Sequence, residues 1–179
     1  MARPDSRPGR RSSRDHAGLD VLSLVNTARA RFYRQQTRGL SERGVDTTTV
    51  VVPGDTSEGR SPFDYARFYP SVLSRSVGGR YDIVHANYGL TAPHAIAQPR
   101  RPVVLSLWGT DLFGPYGWLT RLCVPHADEV VVMSERMADC LDAPCTVVPH
   151  GIDLSRFRPL ARERAKARVG WDHGTRHVL

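Results

Sequence analysis

The segment Trp108-Gly109-Thr110-Asp111 sets an indole, a hydroxyl and a carboxylate side by side, immediately after the apolar run Val103 to Leu107 that Pro102 opens. That run has the length and branched aliphatic content of a buried strand, and a proline suits a strand's first residue. A strand delivering these groups into a turn could orient a hydroxyl-rich ligand, with Trp108 as a stacking wall. Each residue also has a plainer reading. Asp111 could cap nearby backbone N–H groups, and Trp108 could be core packing.

Other groups with the same double reading lie elsewhere in the chain. His85 ends an apolar strand, where a satisfied structural histidine and a substrate contact are both open. Asn87 and Tyr88 in the next turn could hydrogen-bond ligand hydroxyls, although turns favour asparagine in any case. Arg31, Arg34 and Arg38 recur at helical spacing and form a basic stripe, with Arg29 just before it. A solvated face is the default for such a stripe, and docking to anionic lipid head groups or to a phosphorylated acceptor is the alternative.

These residues need a frame. Six runs of strand length, Leu19 to Asn26, Val45 to Val52, Tyr81 to Ala86, Val103 to Trp108, Glu129 to Met133 and Cys145 to Pro149, alternate with helical patterns. The helices expected are Arg31 to Arg43, Phe63 to Val77 with a kink at Pro70, and Leu90 to Ala97. Three more are expected at Trp118 to Val124, from an N-cap at Ser134 through Leu141, and at Leu160 to Val169. Alternation of this kind predicts an α/β fold: a doubly wound, Rossmann-like, mostly parallel sheet of about six strands with helices on both faces. The order 2-1-3-4-5-6 puts the switch point between strands one and three. Asn26, the segment His85 to Asn87, the Trp108 turn and the Met133-Ser134-Glu135 loop then share one edge of the sheet, where ligands bind in such folds.

Composition narrows the function. The 179 residues carry a formal charge of +7, with Lys166 as the one lysine among 25 basic residues. Arginine so dominant favours phosphate-bearing partners. Part of the charge lies in Met1 to Asp15, read as a solvated, disordered tail extending to Gly18; no aromatic interleaving supports a nucleic-acid role for it. No Gly-x-Gly-x-x-Gly follows strand one and no Walker motif occurs, against NAD-binding and P-loop classes. Cys123, Cys140 and Cys145 lack metal-ligand spacing and read as reduced thiols, and no zinc or hydrolase-elbow pattern is present. No apolar run is long enough to span a membrane and no signal-peptide core precedes strand one, so a cytoplasmic location is expected.

Several segments together resemble one family. Tyr81 to Gly89 is similar to the Asp-hydrophobic-hydrophobic-His-Ala-His strand of family 4 glycosyltransferases, retaining nucleotide-sugar enzymes of the two-domain GT-B fold. Pro102 to Asp111 resembles their next strand and its His-Gly-Ser/Thr-Asp turn, and Glu129 to Glu135 their Val-Val-Val-Ser-Glu strand. Val147 to Pro159 resembles the Val-Pro-Asn-Gly-Val-Asp…Phe-x-Pro interdomain hallmark, and Leu40 to Asp46 the Leu-x-x-Arg-Gly-His-x-Val link. The similarity runs in order from Leu19 to Pro159. Three positions depart from it: Asn26 to Ala30 replaces a glycine-rich turn, Trp108 a histidine, and His150 an asparagine.

The resemblance implies the amino-terminal, acceptor-side domain (residues 19–159), then an interdomain helix and the first strand of a second domain (160–179). It implies Asp111 and Trp108 at the reacting centre. Asn26, Arg29, Arg31, His85, Asn87, Tyr88, Gly109 and Thr110 would lie about the acceptor, and Ser134, Glu135, His150 and Gly151 along the interdomain cleft. A nucleotide sugar would be co-substrate, with no cofactor and no metal. The acceptor would be a glycan, lipid or small molecule, and Arg31, Arg34 and Arg38 could rest on the inner face of a membrane. The donor-gripping basic residues and the Glu-x₇-Glu segment of the family's second domain lie beyond this sequence. The chain is therefore expected to be inactive alone, as a truncated frame or with a separate carboxyl half. A non-catalytic accessory module is the alternative from another class.

Overall fold

The computed structural model describes residues 18–54, 59–172 and 174–176. The basic tail and the strand opening expected toward Leu179 lie outside the described residues. Six parallel strands, β1 (Leu19–Val25), β2 (Val45–Val51), β3 (Ile83–Ala86), β4 (Val103–Leu107), β5 (Glu129–Val132) and β6 (Thr146–Val147), pair in the order β2-β1-β3-β4-β5-β6. This is the α/β Rossmann-like sheet that the alternation predicted, and every pairing in it is parallel.

The sequence explains why β1, β3 and β4 lie inside. Val21 to Val25 are buried one after another, the continuous burial of a strand covered on both faces. At the edge, β2 is threonine-rich and none of its residues is fully buried. Leu22, Leu24, Val84, Ala86, Leu105, Leu107 and Val132 form the core with Phe68 and Val72. Each such aliphatic side chain contributes about 2 kcal/mol on leaving water.

The connecting helices are α1 (Arg31–Ser41), α2 (Pro62–Gly78), α3 (Ala92–Ala97), α4 (Thr110–Phe113), α5 (Gly117–Cys123) and α6 (Glu135–Asp139). Helix α1 is polar; Tyr33 is its buried residue, and its hydroxyl lies 2.7 Å from that of Thr49 on β2. Helix α2 starts with a capping box in which Ser61 and Asp64 satisfy each other's backbone N–H, and Pro62 occupies the first turn. It passes Pro70 as one uninterrupted element, because the proline sits on the exposed face where water reaches the freed carbonyl.

Ser134 holds the N-cap position of α6, as expected, while the extent of that helix is corrected. Ser134 precedes α6 but its side chain makes no capping bond; its carbonyl accepts from Met137 and Ala138 N–H instead. The helix ends at Asp139, short of Leu141, with Asp142 at φ 49° just beyond. Helix α4 lies in the stretch after β4 that the periodicity leaves unassigned.

The chain divides into two compact units, Met1–Pro149 and His150–Leu179. In the second, Asp153 Oδ1 accepts from Ser155 and Arg156, and helix α7 (Arg162–Val169) ends at Gly170, φ 71°. Lys166 is buried and its ammonium donates to the carbonyls of Asp172 and Thr175.

Candidate functional site

Asn26, Asn87 and Trp108 follow the carboxyl ends of β1, β3 and β4, so the chain delivers them to one edge of the sheet, around the switch point. Between them two adjoining clefts open. The larger, about 590 Å³, is lined by Asn26, Arg60, Tyr65, Tyr88 and His94 together with Leu90, Pro93, Tyr116, Trp118 and Leu119. The smaller, about 510 Å³, runs from Tyr88 and Leu90 past Gly109, Thr110 and Asp111 to Phe113 and Tyr116.

The floor between them is a hydrogen-bonded knot. Asp111 is buried, and its carboxylate accepts the backbone N–H groups of Gly89 (2.8 Å), Trp108 (2.9 Å) and Gly109 (2.8 Å). One side chain therefore fixes the turns after β3 and β4 to each other. Gly109 sits at φ 115°, a conformation that glycine alone adopts freely. Gly89 is dictated by space: a Cβ there would stand 2.5 Å from Thr120 Oγ1 and 2.9 Å from Asp111 Cβ.

A second chain of contacts lies beside it. The Trp108 indole N–H donates to Asn87 Oδ1 at 3.0 Å, and Asn87 Nδ2 donates to Gln36 Oε1 on α1 at 2.7 Å. The Trp108 ring packs on Phe32 with centroids 4.6 Å apart. At the far side of the larger cleft, Asn26 Oδ1 accepts from Arg60 Nη1 at 2.8 Å and from the Tyr65 hydroxyl at 3.2 Å. Burial pushes the Tyr65 phenol up to about 12, so it remains a donor across the neutral range.

Of the residues singled out in the sequence, Asn26, Tyr88, Gly109, Thr110 and Asp111 line these clefts, and Asn87 and Trp108 brace them. His85 does not line them: it lies in the sheet with Nε2 2.8 Å from Ser106 Oγ. Arg29 and Arg31 are exposed and line neither cleft; Arg34 and Arg38 continue the exposed face of α1, where Arg38 pairs with Glu42 at 3.0 Å. Ser134 and Glu135 are exposed at the β5–α6 turn, and His150 and Gly151 are exposed in the second unit. Sequence reasoning missed Arg60, Tyr65, His94, Tyr116 and Trp118. Arg60 had one usable signal, its place between β2 and the Ser61-Pro62 helix start, on the ligand edge of a parallel sheet.

The sequence profile of Glycosyltransferase Family 4 matches residues 15–156, which takes in all six strands and both clefts. The chain belongs to glycosyltransferase family 4. Over 63 residues it is 38% identical to the lipopolysaccharide core biosynthesis mannosyltransferase LpsB of Rhizobium meliloti (strain 1021), a match covering 35% of this chain and 18% of that enzyme. In this family 4 chain the position after β4 that resembles the family's histidine carries a tryptophan bound to Asn87 and Phe32. Among the described residues no helix is long and apolar enough to cross a membrane.

His85 makes the family 4 sheet pH-sensitive. Burial lowers its pKa from 6.5 to about 4, because the charged ring would be desolvated. The neutral form is favoured in the fold, so this stabilisation is complete above the unfolded pKa and is lost as pH falls from 6.5 toward 4. The expected loss is about 2 kcal/mol, allowing for the residue's partial exposure. Urea midpoints measured across this range should fall in the native chain and fall less in His85→Gln.

Proposed function

We propose that this chain is the acceptor-binding part of a glycosyltransferase that moves a sugar from a nucleotide-sugar donor to a hydroxyl of its acceptor. The observation that carries the reading is the larger cleft, which joins hydrogen-bonding groups (Asn26, Tyr65, Tyr88) to an aromatic wall (Tyr116, Trp118) at the switch point of a family 4 sheet. Polyhydroxylated rings are held by that combination, polar groups for the hydroxyls and aromatic faces for the C–H surfaces.

In this reading residues 19–159 form the acceptor-side domain of a GT-B enzyme, and 160–179 lead into a donor domain on the same or a separate polypeptide. Transfer retains the anomeric configuration. The acceptor oxygen bonds to the anomeric carbon on the face from which the diphosphate departs, the bond to the diphosphate breaks, and a diphosphate oxygen takes the acceptor's proton. The protein's part is positioning and electrostatic stabilisation, with no resident cofactor or metal. Asp111 contributes by holding the floor of the site, Gly109 and Thr110 by lining it. The mannosyltransferase relative makes a mannosyl donor the first to test. Arg31, Arg34 and Arg38 would rest against an anionic membrane on the cytoplasmic side.

The 179-residue chain is expected to bind acceptor glycosides but to release no nucleoside diphosphate from nucleotide sugars, and to gain transfer when a family 4 carboxyl-half polypeptide is added. Robust turnover by the chain alone would overturn the half-enzyme reading. Glycosides that perturb no resonance of Tyr88 or Trp118 would overturn the assignment of the cleft.

A further inference from the structure

Arg60 is a half-buried cation that forms no ion pair with a carboxylate among the described residues, although Asp64 lies near enough to feel its charge. Its Nε donates to the carbonyls of Val52 (3.2 Å) and Pro53 (3.1 Å), one Nη1 hydrogen goes to Asn26 Oδ1, and one Nη2 hydrogen to Val52 O (3.0 Å). All of these acceptors are uncharged. Asp64 is spent on the Ser61 N–H and hydroxyl at the start of α2, and among the described residues no acidic oxygen lies within 4 Å of the guanidinium. A guanidinium has five N–H donors, so one remains on each terminal nitrogen. Two such donors can meet two oxygens of a carboxylate or phosphate. Arg60 itself is rigid, clamped across the ends of β1 and β2, and it lines the larger cleft. The rest of that cleft is largely apolar, with Leu90, Tyr116, Trp118 and Leu119 in its lining, and Trp118 is 60% exposed.

We propose that this cleft selects acceptors carrying an anionic group, a phosphate or a carboxylate, joined to an apolar portion: the anion pairs with Arg60 and the apolar portion lies along Tyr116 and Trp118. The assignment rests on the acceptor reading of the same cleft and names the chemical class that it takes. Partial desolvation strengthens the anion contact relative to one at the open surface, and the apolar wall excludes competing water. A neutral amphiphile leaves the guanidinium unanswered and keeps only the apolar part of the affinity.

The test titrates hexyl phosphate, hexanoate, hexanol and hexyl glucoside into the full chain at low ionic strength, following the Trp118 indole and Arg60 Nε–H resonances. At least one anion should bind about tenfold more tightly than hexanol, the margin of one charge-assisted pair. Preference between the two anions identifies phosphate or carboxylate as the source. The decisive variant is Asn26→Asp, which keeps the acceptor oxygen used by Arg60 and Tyr65 but supplies a carboxylate to the guanidinium. Its anion-to-hexanol ratio should fall below about threefold while the thermal midpoint holds, because the charge is now answered from within. Arg60→Lys, which loses the guanidinium donors and keeps the charge, should lie between. Equal binding of anions and hexanol, an Asn26→Asp ratio that does not move, or no binding at all overturns the proposal. Hexyl glucoside bound in the cleft without anion preference does so while leaving the acceptor reading standing. Hexyl phosphate bound there with glucoside excluded overturns the acceptor reading alone.

Discussion

Replacing Asp111 with alanine is expected to cost the fold about 4 kcal/mol, because one buried and two part-buried backbone donors lose one shared acceptor. The carboxylate receives Gly89 N–H on one oxygen and Gly109 and Trp108 N–H on the other, so the loss is not of one bond but of the junction between two turns. Residues 109 and 111 lie in the same turn, whereas Gly89 belongs to the turn after β3, and the Trp108 indole bond to Asn87 is a second link between the two. Asp111→Asn should cost less, about 2 kcal/mol: the amide oxygen can still serve two donors, but its NH₂ then faces the third. Denaturant midpoints should order as native, Asn, Ala. A thermal midpoint unchanged in Asp111→Ala would refute the account and return the carboxylate to direct chemistry. The ordering also governs how activity is read in a complete enzyme, since a loss of turnover in the alanine variant must first be corrected for the fraction folded.

The sheet was readable in the sequence because its physics is local. Each strand is a short apolar run, burial on both faces makes β1 continuous, and parallel connection leaves few orders for six strands. The edge at which ligand groups gather follows from that order, and so Asn26, Asn87 and Trp108 fell in one neighbourhood. Their partners were not readable. Asn26 meets Arg60 and Tyr65, and Asn87 meets Gln36, across long stretches of sequence that no periodicity marks. The composition of the loop before Ser61 is polar, and nothing in it marks the clamp that the Val52 and Pro53 carbonyls make on Arg60. Trp118 was read only as the start of a helix and Tyr116 not at all, yet both are exposed and line the larger cleft. His85 was left open between structure and substrate; its bond to Ser106 and its place outside both cleft linings favour structure.

Trp108 divides the expected effects in a way that separates bracing from contact with a ligand. Its ring packs on Phe32, and its N–H holds Asn87, which in turn holds Gln36. Trp108→Phe keeps an aromatic face against Phe32 and removes the indole bond, leaving a buried amide oxygen on Asn87; about 1 kcal/mol is expected. Trp108→Ala removes both and opens space beside α1, for about 3 kcal/mol after allowing that the side chain is only part-buried. In a cycle with Phe32→Leu, the packing component should appear as a coupling of about 1 kcal/mol, since the two rings touch and their losses cannot add. Acceptor affinity supplies the second axis. If Trp108 only braces the turn, Trp108→Phe should leave acceptor binding within about twofold of native, because the backbone fixed by Asp111 keeps Gly109 and Thr110 in place. A loss of affinity far beyond the loss of stability would instead show the indole meeting the acceptor, in the position where the family resemblance puts a histidine.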